Sequence, residues 1–105
     1  MSWMFSSASS FNQPLEKWNV ANVTDMYMMF SEAKSFNQSL EKWDVSNVTD
    51  MYSMFNGAVS FSHYPKSWVV PKGRSYGMFI GTKVEKLAKK KPLKTEERYD
   101  PDDPD

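Results

Sequence analysis

A unit of 25 residues recurs in register, and this repetition constrains the fold more than any other feature of the sequence. Residues 11–35 align with residues 36–60 without a gap, and 18 of the 25 aligned positions are identical. A third copy begins at Phe61 and has lost one residue between Val70 and Met78. Because such a unit cannot bury its apolar side chains alone, the copies must stack on one another.

The two halves of the unit have different apolar periods. In the first half, Trp18 and Val20 alternate with polar residues, which is the period of a short strand. In the second half, apolar residues recur at i, i+3, i+4 and i+7, the spacing of one helix face. In the first full copy they are Met26, Met29, Phe30 and Ala33.

Polar residues before each apolar face indicate a helix start. Asn47 and Asp50 are spaced like a capping box, and Thr49 is an alternative cap. We therefore expect the Asn47 and Thr49 side chains to bond the backbone at the start of a helix.

Stacked units of this kind predict an α/β repeat, a leucine-rich-repeat-like solenoid with short parallel strands, short helices and a 25-residue period. The tryptophans of the three copies are expected in one buried column. The expected repeat core consists of Trp18, Val20, Met26, Met29, Phe30, Trp43, Val45, Met51, Met54, Phe55, Trp68, Met78 and Phe79.

The expected segments of the chain are defined by how closely each part of the sequence matches the 25-residue repeat. Val84, Leu87 and Ala88 have helical spacing, and the sequence beyond Leu93 is almost wholly polar. The expected segments are a partial repeat at 1–10, repeats at 11–35 and 36–60, a degenerate repeat at 61–82, a C-terminal helical cap at 83–91 and a disordered tail at 92–105.

Composition argues against several function classes. The formal net charge of +0 gives no bulk attraction to nucleic acid, and no apolar run approaches the ~18 residues that cross a bilayer. The absence of cysteine excludes disulfides, thiolate metal ligands and a cysteine nucleophile. His63 is the only histidine and has no partner motif. We therefore expect no enzyme activity, catalytic residue, metal or cofactor.

Polar residues beside the strand positions would form columns on an exposed face of the stack. This candidate interaction face consists of Glu16, Lys17, Asn19, Glu41, Lys42, Asp44 and Lys66. Two interpretations stay open: a scaffold for a protein partner of unknown identity, or a structural spacer segment of a longer repeat protein. The N-terminal end lacks a recognisable cap over Trp3, Met4 and Phe5, which predicts self-association through that end.

Residues 43–51, Trp-Asp-Val-Ser-Asn-Val-Thr-Asp-Met, followed by Met54 and Phe55, resemble the repeat of BspA-like leucine-rich-repeat surface proteins. The same repeat is known from Mycoplasma surface lipoproteins as one of unknown function. The resemblance covers roughly residues 3–79 and implies an extended scaffold for protein binding or adhesion without shared catalytic residues. It also implies a cell-surface or extracellular location, although no signal peptide precedes the repeats, and we expect a fragment or short member of that family.

Overall fold

Three short regular elements are present in the part of the chain that the computed structural model describes, residues 1–99. They are the strand β1 (Val69–Pro71), the helix α1 (Glu85–Lys90) and the strand β2 (Lys94–Glu96). The two strands pair in parallel, and the remaining described residues are turns and loops apart from an isolated parallel bridge between Asp25 and Asp50. The expected leucine-rich-repeat-like solenoid, with a strand and a helix in every copy, is therefore wrong. The molecule is a small globule with a radius of gyration of 12.7 Å.

The segments expected to be helices are series of tight turns. Met28 and Glu32 have positive φ values of 51° and 59°, and residues in this left-handed region cannot continue a right-handed helix. Met26, Met29 and Phe30 are nevertheless fully buried, so the spacing identified the inward side chains but not the backbone. The same two turn positions have positive φ in the other copies, as Trp3 and Ser7, Ser53 and Gly57, and Gly77 and Gly81.

Alternate backbone amides of each turn segment donate to the next copy. The N–H groups of Met26 and Phe30 donate to the carbonyl oxygens of Asp50 and Met54, both at 2.8 Å. We call this network the turn ladder. Its rows are residues 2–7, 26–32, 50–57 and 74–81. The ladder provides partners for backbone groups that helices or strands would otherwise satisfy.

Two columns of stacked phenylalanine rings form the centre of the core. Ring centroids are 5.4 to 5.6 Å apart within the first column and 5.9 to 6.0 Å apart within the second, distances at which aromatic rings attract one another. The first column contains Phe5, Phe30, Phe55 and Phe79, and the second contains Phe11, Phe36 and Phe61.

The tryptophans do not form one uniformly buried column. Trp43 and Trp68 are buried, and the Trp43 indole N–H donates to the Leu15 carbonyl oxygen of the preceding copy at 2.8 Å. Trp68 makes the equivalent bond to Leu40 at 3.2 Å. Trp18 is 43% exposed, contrary to expectation, because residues 1–10 supply only the second half of a copy to cover it.

The Asn47 and Thr49 side chains connect copies and cap no helix. The Asn47 amide donates to the Ala21 carbonyl oxygen at 2.7 Å, and the Thr49 hydroxyl donates to the Thr24 carbonyl oxygen at 3.1 Å. The helix-capping prediction is therefore wrong, since no helix begins at these positions.

The C-terminal segment is more ordered than the sequence predicts. The helix α1 lies within residues 83–91, where helical spacing was recognised, but β2 lies inside the expected disordered tail at 92–105. Val69 pairs with Lys94, which lies one repeat period later in the chain, so β2 takes the place that the first half of a further copy would occupy. The remainder of the expected tail, 100–105, lies outside the described residues.

Candidate interaction surface

The residues of the candidate interaction face lie at the surface, but they do not form one uniform patch. Lys17, Asn19, Lys42, Asp44 and Lys66 are exposed, whereas Glu16 and Glu41 are half-buried. Some of these residues also hold turns, since the Asn19 carboxamide oxygen accepts a hydrogen bond from the Ala21 N–H at 3.1 Å.

Asp44 is held in a tight turn by Ser46. Its Oδ1 accepts hydrogen bonds from the Ser46 hydroxyl at 2.6 Å and from the Ser46 N–H at 3.1 Å. These two bonds favour the charged carboxylate and lower the pKa of Asp44, with a smaller contribution from the Arg98 charge. Asp44 therefore keeps its negative charge to lower pH than an unperturbed aspartate.

A cavity of about 310 Å³ lies beside Asp44. Its lining includes Glu41, Asp44, Glu96 and Arg98 around the indole of Trp43. The Oε2 oxygen of Glu41 is buried and has no hydrogen-bond partner among residues 1–99. A buried oxygen without a donor is costly, so this atom is a ready acceptor for a donor brought by a binding partner.

A second, larger cavity of about 600 Å³ adjoins the first. It is lined by Lys66, Lys91 and Lys94, with Leu87 adding exposed apolar surface. The two cavities share the lining segment 67–69, and we call the surface that lines the two cavities together the bipolar cleft. One end of the bipolar cleft carries the carboxylates of Glu41, Asp44 and Glu96, and the other carries the ammonium groups of Lys66, Lys91 and Lys94.

Arg98 lines the acidic end of the bipolar cleft and connects three neighbouring segments of the chain. Only 7% of its side chain is exposed, and its guanidinium donates to the carbonyl oxygens of Val45, Val48 and Val69 at 2.9, 2.8 and 2.7 Å. Its Nε also pairs with the Glu96 carboxylate at 2.9 Å. The planar guanidinium suits such a set of acceptors because its donors point in fixed directions.

The structure brings three of the sequence-predicted face residues into the bipolar cleft: Glu41, Asp44 and Lys66. The others do not line it; they are Glu16, Lys17, Asn19 and Lys42. Sequence reasoning missed Glu96, Arg98, Lys91 and Lys94, because they lie in segments interpreted as a solvated cap and a tail. The only available signal was the lysine cluster around Lys91.

No group of three or more histidine, cysteine, aspartate or glutamate side chains is placed to hold a metal ion within residues 1–99. In the same part of the chain, no helix has the length and apolar character needed to cross a membrane.

A family model described as a Mycoplasma protein of unknown function, DUF285, matches residues 1–90 of the chain. No curated protein and no solved structure matches. The match agrees with the Mycoplasma part of the resemblance seen in the sequence and leaves the assignment to BspA-like leucine-rich-repeat proteins unconfirmed.

Proposed function

Since the chain belongs to the DUF285 family of Mycoplasma proteins of unknown function, its family supplies no activity, and we propose that it is a non-catalytic scaffold that binds a protein partner through the bipolar cleft. The observation that carries the proposal is the cleft itself, where separate copies and the C-terminal segment place charges of both signs around a shared floor. The unpartnered Glu41 oxygen in this cleft adds an acceptor that a partner's donor would satisfy.

Opposite charges at the two ends of the cleft favour a polypeptide over a polyanion. Lys66, Lys91 and Lys94 would attract phosphate groups, but Glu41 and Asp44 at the other end would repel an extended polyanion. A polypeptide can present acidic side chains to one end and basic side chains or amides to the other. Exposed charges contribute mainly to the selectivity and the rate of association, so affinity also requires apolar contact area. The exposed side chain of Leu87 supplies such area at the basic end.

The resemblance of residues 43–55 to BspA-like repeats supports a location at the cell surface, with adhesion as the setting of the interaction. Protease treatment of intact cells that express the protein tests this location. Digestion without cell lysis is expected, and complete protection would contradict a surface location.

Charge reversal at the basic end tests the binding function. We expect that Lys66→Glu and Lys94→Glu variants lose capture of the partner in a cross-linking pull-down from the protein's own organism, because an acidic segment would then meet like charges. Lys42→Glu is the matched control, since Lys42 is an exposed lysine of the same candidate face that does not line the cleft.

The pull-down also separates the scaffold from the spacer interpretation. Loss of a specific cross-linked protein in the cleft variants, with retention in the control, supports binding through the cleft. Equal capture by all variants, or no specific capture by the unmodified protein, would favour a structural spacer.

A further inference from the structure

Positive charge is concentrated in one segment of the chain. Residues 83–94 contain six lysines and one glutamate, a net charge of +5, whereas residues 1–82 contain six basic and six acidic side chains and are neutral overall. The acidic side chains that balance the total follow in residues 95–105. All six lysines of the segment 83–94 are exposed. The zero net charge of the whole chain therefore conceals a strongly cationic surface around α1.

The fold holds this cationic segment at both of its ends. At its start, the Lys83 N–H donates to the Phe61 carbonyl oxygen at 3.1 Å, and the Val84 side chain is buried. Near its end, the Lys91 carbonyl oxygen accepts a hydrogen bond from the Tyr64 hydroxyl at 2.5 Å. The pairing of β2 with β1 then fixes the chain that follows. The lysines are therefore displayed in a defined arrangement on the surface of the molecule.

Three of the lysines lie on the outer side of α1. Lys86 and Lys90 belong to α1 and Lys83 lies just before it, so the three are spaced i, i+3 and i+7 along one helix face. The buried Val84 belongs to the opposite face, and the exposed Leu87 borders the outer one. We call the surface of Lys83, Lys86, Leu87 and Lys90 the cationic stripe.

The lysines of the cationic stripe form no ion pair within residues 1–99. The carboxylate of Glu85, the acidic residue of α1, pairs with Lys89 at 3.5 Å, on the side of the helix away from the stripe. The next two carboxylates along the chain, those of Glu96 and Glu97, pair with cations outside the segment 83–94. The charge of the stripe is thus left for an external anion.

The spacing within the stripe also favours an anionic ligand. Lys86 and Lys90 are four residues apart on α1, and like charges at this spacing destabilise a helix. A negatively charged surface that contacts both ammonium groups would remove this repulsion. The ligand that fits is one with negative charges spread over an area, because several lysines lie side by side.

We propose that the cationic stripe docks the protein on an anionic lipid surface. The lysine ammonium groups contact lipid phosphates, and the Leu87 side chain, which is 43% exposed, enters the boundary between headgroups and acyl chains. Clusters of about four to eight basic side chains on a helix are typical of proteins that bind anionic lipids. With six residues, α1 is only about 9 Å long and lies on the bilayer surface.

The side chains of the stripe favour a lipid surface over a nucleic acid. Proteins that bind single strands stack the bases on aromatic rings, and the stripe contains no aromatic residue. Duplex recognition relies on side chains that bond base edges or phosphates, to which Leu87 contributes nothing. The headgroup boundary of a bilayer, in contrast, accepts an apolar side chain among lysines.

This inference goes beyond the proposed function, because Lys83, Lys86 and Lys90 do not line the bipolar cleft. The stripe lysines can therefore be changed while the charged ends of the cleft are kept. A variant at these three positions should still capture the protein partner in the pull-down, so the two proposals can fail separately.

Vesicle co-sedimentation of the full chain tests lipid binding. The unmodified chain is expected to sediment with vesicles of phosphatidylcholine and phosphatidylglycerol in equal amounts, but not with vesicles of phosphatidylcholine alone. The combined variant Lys83→Gln, Lys86→Gln and Lys90→Gln should bind roughly 100-fold more weakly, since each lysine near an anionic bilayer contributes about fivefold. Added salt should weaken binding of the unmodified chain, because it screens exposed charges.

A second triple variant is the matched control. Lys17→Gln, Lys34→Gln and Lys42→Gln together change the net charge by the same amount at exposed lysines elsewhere on the molecule. This control should bind within about threefold of the unmodified chain, because charges beyond the screening length contribute little. Leu87→Ser retains every charge and should weaken binding by the same factor at low and high salt. Unchanged tryptophan fluorescence confirms that each variant is folded.

Three results would overturn the proposal. One is an unmodified chain that does not sediment with the anionic vesicles. Another is an equal loss of binding in the two triple variants, which would assign the effect to net charge alone. The last is binding to a short DNA duplex that the stripe variant also loses, with no effect of Leu87→Ser on vesicle binding, which would make the stripe a general polyanion site.

Discussion

The Arg98→Ala variant tests how the C-terminal segment is held. The substitution removes the donors to the carbonyl oxygens of Val45, Val48 and Val69, and it leaves the strand residues of β2 unchanged. A hydrogen bond to a charged group contributes about 1.5–3 kcal/mol when it is fully buried. Val45 and Val69 line the 310 Å³ cavity, where water can replace the lost donors. We therefore expect about 1 kcal/mol for each bond and about 3 kcal/mol in total.

Local opening of β2 is the quantity to measure, because β2 can detach without unfolding of the turn ladder. The Lys72 N–H donates to the Glu96 carbonyl oxygen at 2.8 Å and therefore reports on pairing of β2. A loss of about 3 kcal/mol corresponds to roughly 100-fold faster amide exchange, at about 1.4 kcal/mol for each factor of ten. Exchange of the Phe30 N–H, deep in the turn ladder, should change much less.

Lys94→Ala serves as the control for the Arg98 experiment, because Lys94 lies in β2 but is exposed. Arg98→Lys should fall between the two, since an ammonium keeps the charge but cannot reach three carbonyl oxygens in the fixed geometry of a guanidinium. Lys72 exchange within about threefold of the unmodified protein in Arg98→Ala, less than about 0.7 kcal/mol, would refute the anchoring role of Arg98.

Two further predictions compare equivalent positions within the chain. Trp43→Ala should lower the free energy of unfolding by about 3–5 kcal/mol, as large core truncations do. Trp18→Ala should lower it by much less, because Trp18 is half exposed. Equal losses of stability for the two variants in urea unfolding would contradict this prediction. Gly57→Ala should cost more than Gly73→Ala, because both have a φ of 78° but only at Gly57 would the new Cβ meet the Glu32 carboxylate. The Gly73 change should cost about 1 kcal/mol from backbone strain alone. Adding Glu32→Ala should remove the difference, and an unchanged difference would exclude the contact as its cause.

The apolar pattern predicted which side chains point inward but not the backbone that carries them. Met26, Met29 and Phe30 fit a helix face, yet successive tight turns return the chain to the core at the same spacing. The sequence contained a signal against helices, because Gly57 and Gly81 stand at the same turn position of successive copies. Glycine recurring inside a supposed helix indicates a required left-handed residue.

The ordered structure of the C-terminal segment could not be predicted from its local composition. Arg98 contacts residues 29, 50 and 53 positions earlier in the chain, and its own neighbourhood is polar. Composition measures whether a segment can form a core by itself, but this segment docks on a core that the repeats have already formed. For the same reason, Glu41, Asp44 and Lys66 could be predicted as surface residues, whereas the contribution of Lys91 and Lys94 to the bipolar cleft could not.

A molecule built mainly from turns will give a misleading far-ultraviolet circular dichroism spectrum. The regular elements among the described residues are Val69–Pro71, Glu85–Lys90 and Lys94–Glu96, so the spectrum should resemble that of a largely unfolded chain. The packed phenylalanine columns and buried indoles should nevertheless give strong near-ultraviolet signals and a cooperative fluorescence transition. Amide exchange should show protection of the Met26, Met28 and Phe30 N–H groups, which donate to the next copy although they lie in no helix or strand.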